Sequence, residues 1–96
     1  MPKAYWIAFY REVSDPAKLA AYGKLAGPII EAGGGRFLAR GKPAYVHEAG
    51  VSERTVVIEF DSVEQAVAVY DSAGYREALA ALKGGVVRDL RIVAGI

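Results

Sequence analysis

Arg36, Arg40 and Glu59 lie on two neighbouring apolar runs, and Arg91 lies on a third. Residue types of this kind suit one chemistry in particular. Guanidiniums hold a carboxylate or an enolate bidentately, and a carboxylate partly withdrawn from water is raised toward the range of a general base. Read as chemistry, Arg36, Arg40 and Arg91 hold a small organic acid while Glu59 is the candidate catalytic residue. Read as structure, Glu59 pairs with an arginine and the cluster fixes the sheet or the register of an assembly. The sequence leaves both readings open. Trp6 and Tyr10 are the aromatic residues expected beside a cavity, whereas Tyr22, Tyr70 and Tyr75 fall on helical stripes and read as packing residues with hydroxyls at the edge.

Other candidates are weaker. His47 is the one histidine, so a multi-histidine metal site within one subunit is excluded and no metal is expected. As a ligand-binding residue it needs partners that the pattern does not supply, and an exposed hairpin histidine is the plainer reading. Gly33-Gly34-Gly35 follows a helix and opens a strand, the reverse of a phosphate-binding loop, so it reads as a helix stop. Ser14, Ser52, Ser62 and Ser72 sit at caps or turns, which sets serine triads aside. No cofactor signature is present, and none is expected.

The elements that must position these residues follow from periodicity. Tyr5 to Tyr10 is aromatic and β-branched, a first strand buried on both faces. Asp15 followed by Pro16 opens a helix whose stripe is Leu19, Tyr22, Ala26 and Ile29, with Pro28 expected to kink it and the glycines at 33–35 to end it. Arg36 to Arg40 is the second strand, Ala44 to Glu48 continues extended toward a turn near Ala49-Gly50, and Thr55 to Phe60 is the third strand. Ser62 and Gln65 form a capping box before the stripe Val63, Ala66, Val67 and Tyr70. Asp71 to Gly74 interrupts that helix, Tyr75, Ala78, Leu79 and Leu82 resume it, and Val86 to Ala94 is the fourth strand.

This order, β-α-β-β-α-β, is the split ferredoxin-like arrangement: an α+β fold with one four-stranded antiparallel sheet and both helices on the same face. The other face is left bare. Parity places Val56, Ile58, Phe60, Phe37, Ala39, Leu90 and Ile92, with Ile7 and Phe9, under the helices. The bare face then carries Trp6, Ala8, Tyr10, Arg36, Leu38, Arg40, Val57, Glu59, Arg91 and Val93. Its apolar members need a cover, each gaining about 1.5–3 kcal/mol on burial. A second sheet is the natural one, so a homodimer is expected.

Composition agrees. Ninety-six residues make one domain, 1–96, and a hydrophobic fraction of 53% is more than so small a unit hides alone. Twelve basic residues against eleven acidic ones, scattered along the chain, argue against nucleic acid or an anionic membrane as partner. Absence of cysteine removes disulfides and thiolate chemistry and fits a reducing cytoplasm. Met1-Pro2-Lys3 leads directly into a strand-like run, and no stretch approaches the roughly 20 apolar residues of a membrane span.

Several patterns together resemble the family known as domain of unknown function 1330: Tyr5-Trp6-Ile7-Ala8; Gly34-Gly35-Arg36-Phe37-Leu38 with Arg40-Gly41; Glu59-Phe60 with Ser62 and Glu64; and Tyr70-Asp71-Ser72 with Tyr75. The segment Glu48 to Arg54 lacks the tryptophan and proline expected of relatives. The resemblance spans essentially the whole chain and implies the dimeric α/β-barrel superfamily, whose branches include small monooxygenases, haem-degrading enzymes and muconolactone isomerase. None of those branches' catalytic residues can be placed on this chain, so their activities are not carried over. Two functions are therefore expected as alternatives. One is a homodimer with a partly apolar pocket between its sheets that binds or transforms a small organic acid or ring compound, cofactor-free and monooxygenase- or isomerase-like if it is an enzyme. The other is a non-enzymatic dimerisation module.

Overall fold

The computed structural model describes residues 2–96 and contains β1 (Ala4–Val13), α1 (Pro16–Ala32), β2 (Arg36–Gly41), β3 (Thr55–Phe60), α2 (Val63–Asp71), α3 (Ala73–Leu82) and β4 (Val86–Ala94). The strands form one antiparallel sheet in the order β2-β3-β1-β4. The Cα trace measures 35 × 32 × 15 Å, the thickness of one sheet and one helix layer. This is the expected ferredoxin-like architecture.

Local chemistry explains the boundaries. Asp15 accepts from the Ala17 and Lys18 amides at 3.1 and 3.2 Å, satisfying donors that the first turn of α1 leaves orphaned. Gly34 ends α1 at φ +93°, where a side chain would be strained. Ser62 accepts from the Gln65 amide at 3.1 Å to start α2, while the Gln65 side chain accepts from the Asp61 amide at 3.2 Å. Ser72 both closes α2, donating to the Val69 carbonyl at 2.7 Å, and opens α3, accepting from the Tyr75 amide at 3.2 Å. One hydroxyl thus makes the interruption.

The register corrects the expected faces. Trp6 pairs with Ile58 on one side and Ile92 on the other, so Trp6, Ala8 and Tyr10 point under the helices. All three are buried in the core with Val56, Ile58 and Phe60. Ile7 and Phe9, expected there, pair with Val57 and Thr55 and lie on the bare face. On β2 the pairing steps from Phe37–Ile58 to Ala39–Val57, a bulge at Leu38 that reverses the parity beyond it. Arg40 consequently pairs with Val56 and joins the helix side, while Ala39 joins the bare face. Ala44 to Glu48 forms no strand; a turn closed by the Gly50 amide on the His47 carbonyl at 2.9 Å occupies its end.

Candidate functional site

Between α1 and the sheet lies a cavity of about 320 Å³. Along α1 it is bordered by Ala20, Gly23, Ala26 and Gly27, small residues that leave the space open. A Cβ added at Gly23 or Gly27 would meet nothing within 4 Å. Trp6, Ala8, Tyr10, Val56 and Ile58 form its floor, with Leu19, Tyr22, Ile30 and Phe37 around them. Behind the floor, Trp6 stacks on Phe60 at 5.9 Å and meets the edge of Tyr75 at 5.1 Å, which fixes its ring.

Three arginines, Arg40, Arg54 and Arg88, complete the lining. Arg88 rises from β4 beside Tyr10, and its Nη1 donates to the Tyr22 hydroxyl at 3.1 Å and, more loosely, to that of Tyr10 at 3.4 Å. Its Nη2 donates to the Tyr75 hydroxyl at 3.1 Å. Tyr22 and Tyr75 share a further hydrogen bond of 2.7 Å. Burial pushes the Tyr10 and Tyr75 hydroxyls up, so both stay protonated. Burial alone would lower Arg88, but the hydroxyls of Tyr22 and Tyr75 outweigh it and hold the guanidinium above its ordinary value. Three hydroxyl acceptors therefore keep a cation inside the fold.

The chain's seven arginines divide by location. Arg11, Arg36, Arg76 and Arg91 each reach a carboxylate, at 3.6 Å (Asp89), 3.0 Å (Glu59 and Asp61), 3.4 Å (Asp71) and 2.7 Å (Asp89). None of the three cavity arginines has a carboxylate within 4 Å among the described residues. Arg40 lies over the Phe37 ring, 4.7 Å from its centroid, and the buried Arg54 Nε has no hydrogen-bond partner. No acid or histidine lines the cavity. Such an arrangement attracts an anion and offers it hydrogen bonds.

The expected site residues separate accordingly. Trp6, Tyr10 and Arg40 come together at this cavity, on the opposite side of the sheet from where they were expected. Arg36, Glu59 and Arg91 stay on the bare face. There Glu59 accepts from Arg36 at 3.0 Å and from the Tyr5 hydroxyl at 3.3 Å, and Arg36 also binds Asp61 at 3.0 Å. Arg91 is engaged with Asp89, whose carboxyl it holds below the usual range. His47 sits exposed in the loop between β2 and β3, away from the cavity lining. Sequence reasoning missed Arg88, Arg54 and the inward role of Tyr22. A signal for Arg88 existed: it shares the parity of Leu90 and Ile92, which were placed under the helices.

No group of three or more potential metal ligands occurs among the described residues. No helix is long and apolar enough to cross a membrane.

The fold and the full-length pattern define a ferredoxin-like α+β protein of the kind found in dimeric and monooxygenase-type structures. The chain belongs to the family described as domain of unknown function (DUF1330), whose model matches residues 3–96. It is similar to a protein of unknown function from Rhodopseudomonas palustris, with 19% identity and a TM-score of 0.77, covering 99% of this chain and 83% of that one. A dimeric ferredoxin-like protein of unknown function from Thermobifida fusca shows 20% identity and a TM-score of 0.68 over 97% of this chain and 91% of its own. SnoaB, a cofactor-independent oxygenase from Streptomyces nogalater, shows 10% identity and a TM-score of 0.68 over 100% and 95%. No curated protein matches the chain.

Proposed function

We propose that the protein is a homodimer in which each subunit binds a small, largely apolar, ring-bearing organic acid in the cavity between α1 and the sheet, with Arg88 as its anchor. One observation carries the reading: the only arginines without a carboxylate among the described residues are the three that line this cavity. The volume bounds the ligand. About 320 Å³ is roughly twice the 150 Å³ cavity that holds one benzene, which suits one or two rings. The hydroxyl protons of Tyr10 and of one of the Tyr22–Tyr75 pair remain to be donated, because these oxygens accept from Arg88. With no carboxylate or imidazole in the lining, the site favours holding an oxyanion or enolate over removing a proton. No cofactor is invoked.

Dimerisation is supported by the bare face, where Phe9, Leu38, Val87 and Val93 remain 38–55% exposed on the same side of the sheet as the Arg36–Glu59 pair. A dimeric neighbour with the same fold supports it further. On this reading Glu59 and Arg36 serve assembly, and the ligand site lies on the other side of the sheet.

Titration calorimetry with benzoate and its neutral isostere benzamide tests the binding function. Benzoate is expected to bind at least about tenfold more tightly, a difference of roughly 1.4 kcal/mol, and Arg88→Gln is expected to abolish the preference. Equal binding of acid and amide, or a preference that survives Arg88→Gln, overturns the proposal.

A further inference from the structure

The three cavity arginines leave the backbone at separate places across the sheet. The Arg54 carbonyl accepts from the Tyr10 amide at 3.0 Å on one side of β1, and Arg88 pairs with Tyr10 on the other. Their backbones are therefore two inter-strand steps apart, about 10 Å. Arg40, on β2, lies one step further out, about 14 Å from β4. Arg88 is tied down by three hydroxyls at one end. At the other end Arg54 holds a buried Nε with no partner, and the exposed Arg40 lies over Phe37. Tyr10 stands between Arg54 and Arg88 at the level of the sheet, and further along the strands the floor is apolar: Ala8, Val56 and Ile58.

We infer that the cavity is built for a two-headed anion, a ring or short apolar spacer with acidic groups at opposite ends, one on Arg88 and one on Arg54 and Arg40. This rests on the anion-binding reading above and goes beyond it by specifying the ligand's charge distribution. A buried guanidinium nitrogen without an acceptor is costly, and a second acidic group supplies the acceptor that the protein does not.

Benzoate, phthalate and terephthalate separate the possibilities, because phthalate carries the same two charges as terephthalate but at one end. At neutral pH and fixed salt, terephthalate is expected to bind at least about tenfold more tightly than either of the others. In the double variant Arg40→Gln/Arg54→Gln its advantage over benzoate is expected to shrink to within about twofold. Circular dichroism of that variant checks its folding, and the single variant at exposed Arg40 is expected to lose part of the advantage if the double variant does not fold. Terephthalate and phthalate binding alike would show a response to net charge alone and overturn the two-headed ligand. So would terephthalate and benzoate binding alike, with the single-acid site intact. Failure of all three to bind overturns the anion site itself.

Discussion

Tyr22 on α1 and Tyr75 on α3 meet hydroxyl to hydroxyl at 2.7 Å, directly over the Arg88 guanidinium to which both serve as acceptors at 3.1 Å. The helix pair and the fourth strand are joined at this point by polar groups inside an otherwise apolar core. That junction positions the charge that the cavity uses.

Removing one hydroxyl from the junction should therefore cost stability without disturbing packing. Tyr75→Phe keeps the ring against Trp6 but leaves a half-buried Arg88 nitrogen and the Tyr22 hydroxyl each short of a partner. A loss of about 1–3 kcal/mol is expected, read as a lower urea midpoint with an unchanged slope. Tyr70→Phe is the control. Its ring also packs on Trp6, at 5.7 Å, and a change within about 0.5 kcal/mol is expected.

The same hydroxyls set a limit at alkaline pH. Burial, the largest cause, raises Tyr10 and Tyr75 above the ordinary tyrosine value of about 10. Below that value both states are protonated and stability does not depend on these groups. Above it the unfolded chain loses protons that the folded chain keeps, so stability falls as pH rises. Denaturation followed as a function of pH should show this decline beginning near pH 10. Tyrosinate absorbance from Tyr10 and Tyr75 should emerge together with unfolding; its emergence while the chain remains folded would contradict the assignment.

Much of this geometry was legible in the sequence, and the failures have physical causes. Element order and caps are local: Asp15, Ser62 and Ser72 each act within three residues of themselves. Faces are not. On β1 both parities are apolar, so alternation cannot say whether Trp6 or Ile7 points inward; the cross-strand pairing of Trp6 with Ile58 and Ile92 decides it. The bulge at Leu38 moves Arg40 across the sheet by one unpaired residue, which no periodicity announces. The cavity is bordered by glycines at 23 and 27, where the open space comes from side chains that are missing, and no periodicity marks it.

That space gives a stability and function test in one position. Gly23 is helical and lines the cavity, with nothing within 4 Å of an added Cβ. Gly23→Ala is expected to raise stability by up to about 1 kcal/mol through helix propensity. Gly23→Leu should fold as well as wild type, yet fill the cavity and weaken benzoate binding at least about tenfold. Calorimetry beside thermal melting separates the two effects, and an undiminished affinity in Gly23→Leu would place the ligand elsewhere.

Glu59 distinguishes the two faces of the sheet. Its carboxylate accepts from Arg36 and from the Tyr5 hydroxyl, all on the bare side, while the cavity lies beneath Ile58 and Val56 on the other. In a dimer that covers this face, Glu59→Gln leaves the Arg36 charge without its full partner between two sheets, a position where an unpaired charge is disfavoured. The dimer should therefore dissociate about tenfold more readily, roughly 1.4 kcal/mol, as read by sedimentation over a dilution series. Benzoate affinity should stay the same, because no atom of Glu59 reaches the cavity lining. A variant that lost ligand binding while its assembly was unaffected would return Glu59 to the candidate site and set aside the role assigned to it here.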